Sequence, residues 1–184
     1  MAQQFQPKTI KELLNWSYAN LAALRVALSQ DPPAYTRVCW MTRARVYKGL
    51  QTGNMKRSSI YKNEREKLSR RNECAYCGAV DVPLTLDHLF ARSRKGSDSG
   101  DNLIYCCHIC NSSKNNRDYF EWIKSTGRPV NIAIAERYLK NAYTLCEQRG
   151  ILDMCVDDAP ADLPFDLQAI PLNYDILWLD HKDH

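Results

Sequence analysis

Two C-x-x-C pairs constrain this chain more than any other feature of its sequence. The first is Cys74-Ala-Tyr-Cys77, the second is Cys107-His-Ile-Cys110, and 29 residues separate Cys77 from Cys107. Two such pairs supply four thiolates, which is the usual ligand set of a structural, tetrahedral zinc site. The sequence therefore predicts that this part of the chain folds around one Zn²⁺ held by Cys74, Cys77, Cys107 and Cys110.

The compartment decides how the eight cysteines of this 184-residue chain are interpreted. The first residues, MAQQFQPKTIKELL, lack the order of basic and then apolar residues that marks a signal peptide, and no apolar run is long enough to span a membrane. We therefore expect a cytoplasmic protein, in which disulfides are rare and metal binding is favoured. We do not expect zinc binding by Cys106, which lies beside the second pair, or by His108, which lies inside it. The apolar surroundings of Cys39, Cys146 and Cys155 are typical of a core.

The formal net charge of +4 hides two oppositely charged regions. Residues 151–184 contain eight Asp and one Lys, a net charge of −7, whereas residues 1–150 contain 24 basic and 13 acidic residues, a net charge of +11. Within the basic part, residues 37–72 hold eleven Lys or Arg and two Glu, a net charge of +9. Such a stretch suits binding to nucleic-acid phosphates, and a solvated helix face is the alternative explanation.

Hydrophobic spacing predicts helices on both sides of the cysteine-rich region. Thr9 and Glu12 have the spacing of a capping box ahead of a leucine-rich helix, which Asp31-Pro32-Pro33 ends. Further helices are predicted at about 34–49, 58–71, 112–126 and 131–149. The segment 151–184 is predicted to be extended, and its many large apolar side chains indicate that it docks on the body or on a partner.

The residues between and after the cysteine pairs follow a recognisable order. Asp87-His88 lies between the pairs, Asn102 lies shortly before the second pair, and Asn111 and Lys114 follow directly after it. In this order and spacing, the stretch from about 70 to 122 resembles the HNH endonuclease family in its cysteine-bearing form. Residues outside this stretch have no counterpart in the motif.

The resemblance implies the ββα-metal fold, in which a two-stranded hairpin and a helix hold one divalent ion between them. Two positions depart from the family pattern, since Ala91 stands where proline is usual and Lys95-Gly96 where two glycines are usual. Both departures concern the shape of a loop rather than the chemistry. We therefore expect an α+β fold, a mainly helical protein around a ββα-metal (HNH) core with a structural zinc knuckle pair.

The resemblance also implies a role for each residue of the motif. Asp87 and Asn111 would be ligands of a catalytic Mg²⁺ or Mn²⁺, His88 would be the general base, and Asn102 would tie the loop so that His88 points at the attacking water. These types suit phosphodiester hydrolysis, because a neutral imidazole with a pKa of about 6.5 can accept a proton from water near neutral pH. A carboxylate and an amide oxygen are hard ligands that leave most of a divalent ion's shell open.

Each of these residues also has an ordinary explanation when it is taken alone. An Asp-His pair can be a surface pair, Asn102 a turn residue and Asn111 the cap of the following helix. The nuclease interpretation therefore depends on their joint occurrence.

Four basic residues near the motif are candidate contacts to DNA phosphates. Lys114 and Arg117 lie about one helical turn apart after the second cysteine pair, and Arg92 and Arg94 follow the Asp-His pair. A solvated helix face is the alternative for Lys114 and Arg117. We expect Trp40, within the basic stretch, to belong to the core.

These observations predict four regions: a helical, basic N-terminal region at 1–72, the HNH core with its zinc site at 73–126, a C-terminal helix at 127–150 and an acidic tail at 151–184. The first functional hypothesis is a metal-dependent DNA endonuclease, an effector of a bacterial defence or restriction system with a partner protein such as an ATPase sensor. One alternative is a zinc-stabilised nucleic-acid-binding module that does not cut. Another is a regulatory protein whose acidic tail mimics DNA or holds the enzyme inactive.

Overall fold

The computed structural model describes residues 5–57 and 72–175. In chain order the elements are α1 (Ile10–Leu28), α2 (Arg37–Gln51), β1 (Leu84–His88), β2 (Leu103–Cys107), α3 (His108–Lys114), α4 (Tyr119–Thr126) and α5 (Ile132–Gln148). These helices and the small sheet form a mixed α+β structure. The helix predicted over 58–71 lies outside the described residues. None of the described helices has the length and hydropathy that a membrane span requires.

Helix α1 is the central packing element of the helical part. It begins with the predicted capping box, in which Thr9 Oγ1 accepts from the Glu12 amide at 3.2 Å and the Glu12 carboxylate accepts from the Thr9 amide at 3.3 Å. It contacts both α2 and α5, and even the polar side chains of Asn15, Ser17 and Asn20 are buried. Because α1 is covered on more than one side, its buried surface is wider than the stripe that the leucine spacing indicates.

Strands β1 and β2 form an antiparallel hairpin that carries the Asp-His pair. Leu84 lies opposite Cys107, and His88 lies opposite Leu103. Helix α3 follows β2 directly, with Cys107 as its N-cap, and packs against both strands. The arrangement of two strands and a following helix matches the one that the family resemblance implies.

The single helix predicted over about 112–126 is instead two helices. Helix α3 ends at Lys114, its C-cap Asn115 has a positive φ of 51°, and α4 begins after Asp118. The Asp118 carboxylate caps α4 by accepting from the amide of Phe120 at 2.9 Å. Asparagine adopts a positive φ more readily than most residues and aspartate is a strong N-cap, so local chemistry overrides the apolar spacing that suggested one continuous helix.

The described part of the predicted acidic tail packs on the body. Hydrogen bonds join it to the start of α1, from the Lys11 amide to the Leu152 carbonyl at 2.8 Å and from the Ile10 amide to the Met154 carbonyl at 3.1 Å. Its buried side chains are Ile151, Leu163, Pro164, Phe165, Leu167, Ile170 and Tyr174. The ring centroids of Phe165 and Phe90 are 5.1 Å apart, and Phe90 closely follows the Asp-His pair in the sequence. Residues 151–175 therefore complete the hydrophobic core, and their acidic side chains lie on a folded segment.

We predict that Phe165→Ala lowers the free energy of unfolding by about 3–5 kcal/mol, because a buried aromatic side chain is lost and a cavity remains beside Phe90 and Tyr138. Urea denaturation followed by circular dichroism measures the change. Asp157→Ala, at an exposed position of the same segment, should change stability by less than about 0.5 kcal/mol. Equal stabilities of the two variants would contradict the packing role of this segment.

Candidate functional site

The four cysteines of the two C-x-x-C pairs come together in one cluster. The Sγ atoms of Cys74, Cys77, Cys107 and Cys110 all lie within 4.8 Å of one another, and those of Cys77 and Cys107 are 3.9 Å apart. A tetrahedral zinc site with Zn–S bonds of about 2.3 Å places its sulfurs about 3.8 Å apart, so the cluster fits this metal. The sequence prediction that these four residues form one group is confirmed.

Tight turns bring the two cysteine pairs into this geometry. Gly78 follows the first pair with a φ of 70°, and its amide donates to the Cys74 carbonyl at 2.8 Å. In the second pair, the Cys110 amide donates to Cys107 Sγ at 3.5 Å. Arg128, which sequence reasoning missed, lies with Nη1 3.4 Å from Cys110 Sγ, where its guanidinium would offset the negative charge of a four-thiolate zinc site.

The other cysteines lie outside the cluster. Cys106 is fully buried, and burial raises the pKa of its thiol to about 12. Cys39 and Cys146 are core residues, as expected, but Cys155 is exposed and the expectation that it is a core residue is wrong. Cys155 pairs with Thr9 in an isolated β-bridge at the edge of the body, where one side faces solvent.

A groove of about 400 Å³ lies beside the hairpin, and Asp87, His88 and Asn111 all line it. Its remaining wall is formed by Leu86, Ala91, Arg92, His108, Ser112, Asn115 and Asn116. The structure therefore brings together the three residues that the family resemblance assigned to chemistry, and it gives them access to a ligand from solvent.

Asp87 is buried and is held by two donors on the same oxygen. Its Oδ2 accepts from the Tyr76 hydroxyl at 2.7 Å and lies 3.0 Å from Lys114 Nζ. Burial, together with the Asp87 charge, raises the pKa of Tyr76 well above its ordinary value, so the hydroxyl stays a donor. Tyr76 lies inside the first C-x-x-C pair, and nothing in the sequence marks it as a partner of Asp87.

Lys114 does not lie on a solvated helix face, and the expectation that it contacts DNA is wrong. Its side chain is fully buried, and Nζ donates to the His88 carbonyl at 2.8 Å in addition to its ion pair with Asp87. The helical period contains a signal for this, because Lys114 follows buried Cys110 by four residues and therefore shares its face. The ion pair with Asp87 and the hydrogen bond to the His88 carbonyl together offset the cost of burying the ammonium group.

The His88 ring is partly exposed and has one partner among the described residues. Its Nε2 lies 2.7 Å from Asp98 Oδ1, and Arg92 Nε lies 3.5 Å from the same oxygen. Asp98 lies ten residues after His88 in the loop between the strands, and the family pattern did not mark it.

Asn102 ties together the loop between β1 and β2. Its Oδ1 accepts from the Phe90 amide at 2.8 Å, and its Nδ2 donates to the carbonyls of Phe90 at 3.0 Å and Ser97 at 2.7 Å. A Cβ atom at Gly96 would lie 1.8 Å from the Phe90 carbonyl oxygen, so this close approach needs glycine. Lys95, which replaces the other usual glycine, adopts a positive φ of 67°. The loop therefore closes despite the departure from the family pattern.

Asn111 uses its amide nitrogen within the protein. Nδ2 donates to Thr85 Oγ1 at 2.9 Å and to the Leu86 carbonyl at 3.4 Å, both on β1. These contacts orient the side chain against the strand.

The remaining predicted DNA contacts differ in their exposure. Arg92 is exposed at the groove, and Arg94 is partly buried. Arg117 donates to Ser125 Oγ at 3.0 Å and also to the Ser113 carbonyl, so α3 and α4 share this guanidinium.

Comparisons with known proteins agree with this geometry. Residues 74–117 match the family model of the HNH endonucleases, which assigns an HNH endonuclease domain to the segment from the first cysteine pair to just beyond α3. A stretch of 68 residues is 38% identical to part of the CRISPR-associated endonuclease Cas9 of Corynebacterium diphtheriae, and it covers 33% of this chain and 6% of that protein. The chain thus spans only a small part of that relative's length. No solved structure gives a significant match.

We predict that Cys77→Ser reduces the zinc content from about one ion per chain to well below that value, because only three thiolates remain. Mass spectrometry of the dialysed protein measures the metal. Cys155→Ser replaces an exposed cysteine outside the cluster and should keep the wild-type zinc content. Identical zinc contents in the two variants would contradict the assignment.

We predict that Lys114→Met lowers the free energy of unfolding by about 3–5 kcal/mol, because it leaves the buried Asp87 carboxylate without its counter-charge. Urea denaturation measures the loss. Adding Asp87→Asn to the variant removes the uncompensated charge and should recover part of the stability. Lys124→Met, at an exposed position of α4, is the matched control. If Lys114→Met and Lys124→Met have the same stability, the buried ion pair is not needed for folding.

Proposed function

Because residues 74–117 form an HNH endonuclease domain, we propose that the chain is a metal-dependent endonuclease that hydrolyses DNA phosphodiester bonds. The observation that carries the proposal is that Asp87, His88 and Asn111 line one solvent-accessible groove. A domain that only binds nucleic acid has no need of a base and two oxygen ligands in one place. The same groove is held in shape by the Asn102 contacts and the four-cysteine cluster.

Asp87 and Asn111 would hold a catalytic Mg²⁺ or Mn²⁺. The contacts from Tyr76 and Lys114 both use Oδ2 of Asp87, and those of Asn111 use Nδ2, so Oδ1 of each side chain supplies a hard oxygen donor. Such donors fit a divalent cation that keeps most of its shell for water and phosphate. A bound cation supplies positive charge that stabilises the charge developing on the phosphate and on the leaving 3′ oxygen.

His88 is the general base in this proposal. Its ring accepts a proton from a water molecule in the groove, and the water oxygen forms a bond to phosphorus. The bond between phosphorus and the 3′ oxygen breaks, and the leaving oxygen takes a proton from solvent. The products are a 5′-phosphate end and a 3′-hydroxyl end. Lys114 contributes by fixing the His88 carbonyl and the Asp87 carboxylate, since it is not exposed to the substrate.

Helix α2 supplies a described part of the surface proposed to bind DNA. All its charged residues are basic, namely Arg37, Arg43, Arg45 and Lys48. Arg43 lies 4.7 Å from the ring centres of both Trp16 and Trp40, whereas the other three side chains are exposed. Trp40 is 43% exposed and stacks on Tyr35, so it is not the core residue that we expected. The exposed basic side chains of α2 would contact DNA phosphates, and such contacts supply affinity without reading the base sequence.

The proposal includes a biological setting, which is bacterial defence or restriction. The relative's printed name identifies it as a CRISPR-associated endonuclease. This supports an effector role in bacterial defence or restriction, in the cytoplasm, with a partner protein such as an ATPase sensor that directs cleavage.

We predict that His88→Ala reduces the rate of Mg²⁺- or Mn²⁺-dependent cleavage of supercoiled plasmid by at least about 100-fold, because the general base is lost. Gel analysis of nicked and linear products over time measures the rate. The variant should keep its zinc content and melting temperature, since the ring is partly exposed and bonds only to an exposed aspartate among the described residues. A fully active His88→Ala protein would contradict the mechanism, and DNA binding without cleavage by the wild type would favour the non-cutting module.

A further inference from the structure

We propose that Asp98 is a positioning residue for His88, which it holds with the proton on Nε2 and the lone pair on Nδ1. This inference rests on the proposed function and adds a residue to its site. The carboxylate is 65% exposed in the loop between β1 and β2, and its Oδ1 lies 2.7 Å from His88 Nε2.

The chemistry of the contact determines the tautomer. An ionised carboxylate can only accept hydrogen bonds, so Nε2 carries the proton whenever the contact is made. In the neutral ring the other nitrogen, Nδ1, then has the lone pair. No described residue contacts Nδ1, and His88 lines the groove. Nδ1 is therefore the atom that accepts the proton of the attacking water.

The loop that carries Asp98 is held from several sides. Asn102 Nδ2 binds the carbonyl of Ser97, the residue before Asp98, at 2.7 Å. The Gly96 amide donates to the Ala91 carbonyl at 3.0 Å, and the hydroxyls of Ser97 and Ser99 lie 2.9 Å apart. Asn102 thus acts on His88 through Asp98, because it fixes the loop from which the carboxylate reaches the ring.

His88 is consequently fixed at both its backbone and its ring. Lys114 Nζ binds the backbone carbonyl at 2.8 Å, while Asp98 binds the ring at 2.7 Å. Arg92 Nε, 3.5 Å from the same Asp98 oxygen, keeps the carboxylate beside the ring. When both the backbone and the ring of a histidine are held by hydrogen bonds, the ring has one preferred orientation. This lowers the entropic cost of reaching the reactive geometry.

The test compares plasmid cleavage by Asp98→Ala, Asp98→Glu and Asp101→Ala. Asp98→Ala should lower kcat by about 10- to 100-fold with little change in KM, the range found for carboxylates that orient metal-ligating histidines. Asp98→Glu keeps a carboxylate at an exposed position and should recover most of the rate. Asp101→Ala removes the same charge from an exposed site in the same loop, and it should cleave like the wild type. If Asp98→Ala matches Asp101→Ala, or cleaves faster than the wild type because the carboxylate only covers the base, the proposal is overturned.

A second measurement reports the tautomer without any need for activity. In ¹⁵N spectra of the imidazoles, recorded about two units above the free ring pKa of about 6.5, the wild type should show His88 with the proton on Nε2. The chain has four histidines, and the His88→Ala spectrum identifies the His88 signals. Asp98→Ala should shift these signals toward a mixture of tautomers, and unchanged signals would overturn the proposal. If the wild type does not cleave DNA at all, the proposed function fails while this measurement still decides the role of Asp98.

Discussion

The carboxylate of Asp87 is the point at which three parts of the chain meet. Strand β1 carries it, Tyr76 of the first cysteine pair donates to it, and Lys114 at the end of α3 supplies its counter-charge. Burying either charge alone would cost several kcal/mol, so the carboxylate and the ammonium group are tolerated in the interior only as a pair. The contact that fastens the helix to the strand therefore also sets the oxygen that we propose as a cation ligand.

The loop between the strands depends on a second set of polar contacts. Asn102 bonds to three backbone groups, and Gly96 allows the chain to approach the Phe90 carbonyl closely. Because these local bonds hold the loop, it closes without the usual proline or the first of the two usual glycines. The departures from the family pattern at Ala91 and Lys95 are compatible with a closed loop.

Helices α4 and α5 and the C-terminal segment are joined through the buried residue Asp118. Asp118 caps α4 with one carboxylate oxygen, and with the other it accepts from the Tyr138 hydroxyl at 2.5 Å and the Asp166 amide at 3.2 Å. One buried residue thus links α4, α5 and the segment after residue 151. The large apolar side chains of that segment predicted that it docks on the body or on a partner, and over residues 151–175 they are buried in the body despite the segment's negative charge.

The sequence by itself determined the features that depend on neighbouring residues or on fixed spacing. These are the capping box at Thr9, the four-cysteine cluster, and the Asp-His pair and Asn111 within an HNH domain. The helix break at Asn115 also has a local cause, although the apolar spacing alone predicted one continuous helix. Only the tertiary structure decided the positions of Lys114 and Asp98. Lys114 is buried because Asp87, distant in sequence, compensates its charge, and Asp98 contacts His88 from a loop that Asn102 holds through the Ser97 carbonyl. Charge and periodicity describe one segment at a time, whereas the free energy of burying a charge depends on the partner that folding brings to it.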